Sequence, residues 1–359
     1  MMLILAVVLT AVFLALDRQL LWLIRTPQES FSEARAYLDI CLMGLVFIFM
    51  YNAISGVLRG MGDSVRPLIF VGGACLLNVG LDFLFIGGFG MGAAGAAIAT
   101  IIAQAASVIA SAIYLAKRGF LFDFKLSSFR IRVEKLKLIL KIGIPTGVQQ
   151  VITSISFMIM AALVNDFGVE AAAAAGIAGK FNGFAIMPAM AISNSVSMMC
   201  AQNFGARIIE RAKRTLNVGI AISFTLGFIV FIITQLFPEE IMRIFISDEA
   251  VIIPGVVYMR AFSYDYLVVP FAFNLMGFVN GSGHTLITAI CSVLSAVGFR
   301  IPAAILLSSV FSMGLTGVGL AAPIASLGSM FILILYIASG AYRKTNLEAG
   351  GIQASGDVF

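Results

Sequence analysis

Ten long apolar stretches alternate with short polar segments along this chain of 359 residues. Each stretch is close to the roughly 20 residues that a helix needs to cross the hydrocarbon core of a bilayer. Apolar runs of this length are typical of membrane-spanning helices. We place them at approximately residues 1–16, 36–58, 67–87, 92–116, 139–164, 171–200, 216–237, 255–278, 285–309 and 315–341. The pattern predicts an all-α polytopic membrane protein of about ten transmembrane helices.

Small and polar residues recur at a spacing of about 221 positions, which predicts two similar halves in parallel repeat. The matched pairs are Tyr37 with Tyr258, Gly60 with Gly281, Gly62 with Gly283 and, one position later, Gly92 with Gly314 and Gly95 with Gly317. Gly143-Ile-Pro145 is expected to open the first helix of the second half. Its counterpart in this register falls about 78 residues before residue 1, so we expect the chain to lack its first two helices.

The repeat suggests a division into four segments. Residues 1–120 form an incomplete N-terminal lobe, equivalent to helices 3–6 of an intact first half. Residues 121–138 form a basic cytoplasmic linker, residues 139–345 a C-terminal lobe equivalent to helices 7–12, and residues 346–359 a flexible cytoplasmic tail. A signal peptide is the alternative interpretation of the stretch 1–16. This stretch lacks the basic N-terminal region of a signal peptide, and the register aligns Met1 with Ile222 inside a later span.

Composition and charge agree with a membrane protein. The chain is 60% hydrophobic and 11% charged, with a mean hydropathy of +1.04, whereas soluble domains carry about 25% charged residues. Sixteen of the 23 Lys and Arg residues lie in alternate loops and the tail, which places those loops and the C-terminus in the cytoplasm and the protein in the cell membrane. The net charge of +5 therefore reflects topology, and we expect no nucleic-acid partner.

The sequence offers no enzyme chemistry. Its four cysteines are scattered singly, and one histidine, His284, cannot build a metal site or a nucleophile–base pair. The segment Gly90-Met-Gly92-Ala-Ala-Gly95 matches a dinucleotide-binding fingerprint, but it follows a membrane span. We assign Gly92 and Gly95 to close helix packing in lipid. We expect neither an enzyme nor a cofactor.

Ionisable residues inside spans are the functional candidates, because a charge near the bilayer centre is costly. Asn78 and Asp82 share one helical face at i and i+4. Their amide and carboxylate oxygens suit a hard cation such as Na⁺, and a desolvated Asp82 suits a proton equally. A structural hydrogen-bonding pair is the alternative.

The second half differs chemically at this place. Arg300 and Pro302 occupy nearly the positions of Asn78 and Asp82. Arg300 either neutralises a carboxylate or snorkels to the membrane surface. Asp265 is a second candidate protonation site, and Lys180 either approaches a cavity or snorkels.

Several motifs together resemble the multidrug and toxic compound extrusion (MATE) transporters across essentially the whole chain. They are Leu58-Arg-Gly-Met-Gly-Asp-Ser64, Asn78-x-x-x-Asp82, Gly92-x-x-Gly95-Ala-Ala-Ile-Ala-Thr100, Gly143-Ile-Pro145 and Ala201-Gln-Asn-Phe-Gly-Ala206. The resemblance implies two six-helix bundles around a central cavity. It implies alternating-access export of organic cations or amphiphiles in exchange for Na⁺ or H⁺, with membrane lipid as the surroundings.

The resemblance also implies site residues. Asn78, Asp82 and Thr100 match the family's cation-coupling set, whereas its first-helix acid would lie upstream of Met1. Ser55, with Asn52 nearby, stands where the family often has Asn, and Gln149 and Gln150 stand in the helix where some members use a glutamate. Two other functions stay open on the sequence: a flippase of lipid-linked precursors, which Lys180, Arg260 and Arg300 leave open, and a non-transporting fragment or scaffold.

Overall fold

The computed structural model describes residues 2–23, 31–117 and 133–343, which form helices and turns with no strand among them. Most of the predicted linker and all of the predicted tail lie outside these residues. The chain divides into two compact units, an N-terminal unit of Met1–Ile131 and a C-terminal unit of Arg132–Phe359.

The described residues of the N-terminal unit form five helices and one π-helical turn. They are α1 (Met2–Ala15), α2 (Asp17–Leu23), α3 (Phe31–Gly60), α4 (Val65–Asp82), the π turn Phe83–Gly88 and α5 (Gly92–Lys117). Gly44 brings α3 close to α5, because a Cβ atom there would lie 2.4 Å from Cγ1 of Ile101. Close approach at a small residue is a common means of packing helices in lipid, where the hydrophobic effect does not drive helices together.

The described residues of the C-terminal unit form nine α-helices, two π-helical turns and a short 3₁₀ helix at Ala341–Arg343. The α-helices and π turns are α6 (Val133–Asn165), α7 (Val169–Gly205), α8 (Ile209–Leu236), α9 (Pro238–Arg243), α10 (Glu249–Ser263), α11 (Asp265–Gly281), α12 (Thr285–Val293), the π turn Leu294–Arg300, α13 (Ile301–Ile305), the π turn Leu306–Val310 and α14 (Leu315–Ala338). Gly143-Ile-Pro145 does not open a helix as expected. It lies inside α6, where Pro145 has no N–H to give the carbonyl of Lys141.

Eight helices in the described residues are long and apolar enough to cross a membrane, and nine if the bent pair α10 and α11 is one span. The predicted stretch 1–16 forms the apolar helix α1, which has 14 residues and is too short to be counted among these spans. The predicted stretch 255–278 is not one straight helix, because α10 and α11 meet at an angle of 43° next to Tyr264. Broken helices in membrane proteins occur where protein or a polar cavity satisfies the backbone.

The internal repeat is visible in backbone conformation. Gly62 and Gly283 have φ angles of 89° and 86°, and Gly92 and Gly314 both have 55°. These left-handed values favour glycine. Gly92 therefore serves a turn and not the close packing that we expected, since a Cβ atom there would meet nothing within 4 Å.

The second glycine of each copy does pack closely. A Cβ atom on Gly95 would lie 3.2 Å from Cβ of Phe85, and one on Gly317 would lie 2.5 Å from the backbone carbon of Leu307. In each half, this glycine lets the helix that contains it pack directly against the preceding π turn. With the 222-residue register of Gly92 and Gly314, Asn78 corresponds to Arg300 and Asp82 to the buried Ala304.

An ion-pair cluster ties α2 to α3. The Arg35 guanidinium donates to the Asp17 carboxylate and lies 3.8 Å from Asp39. This hydrogen bond holds the pKa of Asp17 below its ordinary value of 3.8. A lowered pKa means that the pair stabilises the fold above about pH 3.8 and that this contribution is lost as the pH falls through the pKa of the folded state.

We expect Asp17→Asn to lower the thermal unfolding temperature of the full chain in detergent at pH 7, because it removes the charge that holds Arg35. The difference from the original chain should shrink below about pH 3.8, where Asp17 itself becomes protonated. Asp63→Asn, which breaks the more exposed pair with Arg66, is the matched control and should have a smaller effect. A difference that stays constant from pH 7 to pH 3 would contradict this account.

Candidate functional site

In the N-terminal unit, the polar face of α4 meets α5. The side-chain nitrogen of Asn78 lies 3.5 Å from the Thr100 hydroxyl, which itself donates to the carbonyl of Ala96 at 2.9 Å. Both side chains are half-buried. The structure therefore brings together two of the predicted cation-coupling residues through a long, weak hydrogen bond.

Asp82 is the last residue of α4, where the helix changes to the π turn Phe83–Gly88. Its Oδ1 atom is buried and has no hydrogen-bond partner. π turns inside helices often occur at functional sites, and a buried carboxylate without a partner is costly. One turn beyond Asn78, Asp82 thus offers an unsatisfied oxygen that a proton or a cation would satisfy.

Two further candidates lie on α3 and do not join this group. Asn52 is exposed and donates to the carbonyl of Ile48 at 2.8 Å in its own helix. Ser55 is only 2% exposed, and its hydroxyl is buried without a partner. Within the described residues, neither side chain hydrogen-bonds to Asn78, Asp82 or Thr100.

Tyr37 of α3 is a residue that our sequence analysis did not assign to the site. It lies within electrostatic range of Asp82. Its repeat counterpart, Tyr258, lies within electrostatic range of both Asp265 and Arg300 in the C-terminal unit. The alignment of Tyr37 with Tyr258 in the repeat was the sequence signal that could have indicated one tyrosine near each polar cluster.

The C-terminal unit has its own buried polar cluster at the break between α10 and α11. Asp265 begins α11, is 4% exposed, and has a buried Oδ1 atom without a partner. Ser326 of α14 lies within hydrogen-bonding range of its carboxyl group. The break places this carboxyl group roughly halfway along the bent span.

Arg300 ends the π turn Leu294–Arg300 and faces α6. Its Nη1 donates to the Ser156 hydroxyl at 3.3 Å, and its guanidinium carbon lies 4.7 Å from the ring centre of Phe157, a favourable cation–π contact. Its Nε is buried without a partner. Arg300 lies within electrostatic range of Asp265, yet no ion pair within 4.0 Å joins them. The cluster retains both an unused acceptor and an unused donor.

The other two candidates of the C-terminal unit do not enter this cluster. Lys180 is exposed on α7 and forms no ion pair with the part of the chain that the structure describes. Gln150 is exposed on α6. Its neighbour Gln149 instead faces α11, with its side-chain nitrogen 3.2 Å from the sulfur of Met276 and its side-chain oxygen buried without a partner.

No group of three or more His, Cys, Asp or Glu side chains in the described ranges is arranged to hold a metal ion. The polar side chains on the facing parts of α4 and α5 are a carboxylate, an amide and a hydroxyl, and their oxygens are of the type that hard cations take.

The sequence model of the family described as MatE matches residues 1–84 and 145–306. The probable multidrug resistance protein YpnP of Bacillus subtilis is 31% identical over 338 residues, which cover 92% of this chain and 74% of that relative. The probable multidrug resistance protein NorM of Thermotoga maritima is 28% identical, over 87% of this chain and 68% of that relative.

Solved structures share the fold. A crystal structure of MATE in the bent conformation matches with a TM-score of 0.87 at 24% identity, over 97% of this chain and 77% of that one. An outward-facing conformation of a multidrug resistance MATE family transporter of the MOP superfamily matches with a TM-score of 0.89 at 23% identity, over 96% and 78%. The all-α polytopic membrane fold predicted from the sequence is confirmed.

Proposed function

Because this chain belongs to the MATE family of multidrug and toxic compound extrusion transporters, we propose that it is a secondary active antiporter. It exports organic cations or amphiphiles in exchange for Na⁺ or H⁺ by alternating access. Its relatives are named multidrug resistance and multidrug export proteins, so it is a multi-pass membrane transporter of small molecules and not an enzyme. The coupling ion and the coupling residues are the proposal.

The observation that carries the proposal is the unsatisfied Asp82 carboxyl oxygen next to the Asn78–Thr100 contact. A proton would bind to Asp82 itself. A sodium ion would take the Asp82 carboxylate together with the side-chain oxygens of Asn78 and Thr100. Either ion removes an uncompensated charge from the membrane interior.

Ion binding drives transport only if the ion binds one conformation of the protein better than the other. Asp82 stands at an α-to-π junction, where a small change in helical winding changes the direction of a side chain. We propose that this junction gives the ion its preference. Ser55 and Asn52 remain candidates to complete the site in another conformation.

The polar cluster of the C-terminal unit is the proposed second polar site. Asp265 offers a buried acceptor and Arg300 a buried donor. A polar or charged group of a substrate could therefore donate a hydrogen bond to Asp265 or accept one from Arg300. Lys180 and Gln150 are exposed polar side chains on α7 and α6 and remain candidates for contacts with substrate on its path.

The proposed location is the cell membrane, with the C-terminus in the cytoplasm. Basic residues gather at Arg59 and Arg66, at Arg207–Arg214 and at Arg343, all at ends of spans that the repeat places on the same side. Cytoplasmic loops retain such residues.

The function is tested by reconstituting the purified chain into lipid vesicles loaded with ethidium. We expect ethidium movement to accelerate at least severalfold when either a sodium or a proton gradient is imposed, and not in vesicles without protein. The gradient that accelerates movement identifies the coupling ion. If neither gradient changes the rate of ethidium movement and the chain binds a lipid pyrophosphate saturably, the flippase function would be supported instead.

A further inference from the structure

A groove of about 700 Å³ lies between α7 and α8 in the C-terminal unit. Its apolar part is lined by Ile192 and Met199 of α7 and by Val218 and Ile222 of α8. This volume is within the range of sites that hold small molecules. The groove does not include any residue of the Asp265–Arg300 cluster.

The groove follows from the spacing of residues on the two helices. Its lining residues recur every three or four positions, so each set forms one stripe along its helix. Gly219 has no side chain, and a Cβ atom there would lie 2.4 Å from Cγ2 of Val196. Val196 therefore packs directly against the backbone of α8 and forms the floor of the groove.

The end of the groove nearest the start of α8 is positively charged. Arg211 and Arg214 line it, are exposed, and form no ion pair with any described residue. An acid, Glu210, also lines the groove, but its carboxylate is 2.7 Å from the Lys213 ammonium group, which neutralises it. Two uncompensated guanidinium groups thus stand about one helical turn apart, an arrangement that suits phosphate oxygens.

The charged end lies where a phospholipid headgroup would be. Helix α8 begins at Ile209 and its apolar stretch covers approximately residues 216–237, so Arg211 and Arg214 lie in the first two turns of the helix, just before the apolar stretch. Ile222 lies 11 residues beyond Arg211, or about 16 Å along the helix. This distance is close to half the thickness of the hydrocarbon core, about 15 Å. A ligand in the groove would need an anionic head and an alkyl chain of about this length.

We infer that this groove binds one anionic phospholipid, with its phosphate between Arg211 and Arg214 and an acyl chain along Val218 and Ile222. Two arginines would repel an organic cation, and an inorganic phosphate would occupy only the charged end and leave the apolar part empty. Basic sites between transmembrane helices at the membrane surface are suited to anionic headgroups. The inference is independent of the ion and the substrate that the protein transports.

The test is native mass spectrometry of the purified full chain in detergent, with phosphatidylglycerol and phosphatidylcholine of identical acyl chains. We expect the chain to retain phosphatidylglycerol preferentially. The double variant R211A/R214A should weaken this retention about 30-fold, to the level of phosphatidylcholine. The double variant E210Q/K213A is the matched control, because it removes the neighbouring ion pair without changing the net charge and keeps both arginines, and retention should stay within about twofold.

A second variant tests the apolar part of the groove. Ser195 is exposed and lines the groove, and Ser195→Trp should obstruct it while leaving both arginines in place, so phosphatidylglycerol retention should also fall. All variants should elute as the original chain does on size exclusion. Equal retention of the two lipids, or unchanged phosphatidylglycerol retention in both variants, would overturn the inference. So would ethidium binding that is lost in Ser195→Trp and kept in R211A/R214A, since the groove would then be a substrate site.

Discussion

Asp82→Asn is expected to abolish ion-coupled efflux while leaving the chain folded. The amide has nearly the same volume as the carboxyl group, so the packing at the end of α4 is preserved. It cannot take up a proton and has no charge for a sodium ion. Because the Asp82 Oδ1 atom is buried and makes no hydrogen bond, the substitution breaks no bond to that atom, and the free energy of unfolding should change by less than about 1 kcal/mol.

The measurement is ethidium efflux from vesicles under an imposed sodium or proton gradient. The gradient-driven component should fall at least about tenfold, which corresponds to about 1.4 kcal/mol of lost coupling. Asp39→Asn is the matched control, since Asp39 also has a buried oxygen without a partner but lies beside Arg35. Gradient-driven efflux that survives in Asp82→Asn would reject the proposal for α4.

Asp265→Asn extends this test to the C-terminal unit. If Asp265 serves only the substrate, its loss should change which compounds are exported but leave the response to the ion gradient in place. Loss of the gradient response in Asp265→Asn, with its retention in Asp82→Asn, would assign coupling to the break between α10 and α11. The pair of variants thus separates the two polar clusters.

Gly277→Val is expected to cause a large loss of folded protein, because it places a side chain between two closely packed helices of the C-terminal unit. A Cβ atom on Gly277 would lie 2.5 Å from the backbone oxygen of Ser193, and one on Gly281 would lie 2.5 Å from that of Ser197. The spacing of these glycines is the G-x-x-x-G pattern, which lets helices approach closely in lipid. Since a backbone carbonyl cannot rotate away as a side chain can, α7 and α11 would have to separate.

We expect Gly277→Val to reduce the free energy of unfolding by about 3 kcal/mol or more, at or beyond the upper end of typical overpacking. Gly183→Val is the matched control, because Gly183 lies on α7 and a Cβ atom there would meet nothing within 4 Å. Thermal unfolding and the monodisperse fraction on size exclusion measure both variants. Equal stability of the two would show that α7 and α11 do not pack as described.

The helices and the internal repeat of this protein follow from local sequence. Apolar runs of sufficient length become helices in lipid, because the backbone has no other way to satisfy its hydrogen bonds there. The repeat of small residues predicted that Gly62 and Gly283, and Gly92 and Gly314, are equivalent, and their φ angles agree within a few degrees. The pairing of Asn78 with Thr100 came from resemblance to a family, and the structure brings those two side chains together.

Other features depend on which helices are neighbours. Gln149 and Gln150 are adjacent and chemically identical, but only Gln149 faces Met276 of α11. Ser55 and Asn52 lie three residues apart on α3, yet Ser55 is buried and Asn52 is exposed. Hydropathy cannot distinguish such pairs, because a side chain that faces lipid and one that faces another helix are both in apolar surroundings.

The sequence by itself thus determined the class of the protein, most of its spans and the list of polar residues inside them, since each depends on length and composition within one segment. Only the tertiary structure decided that the span 255–278 breaks beside Asp265, that Arg300 faces Ser156 across 144 positions, and that Gly277 touches α7. These are contacts between residues distant in the chain. Their energies depend on the shape of the partner surface, which no single segment encodes.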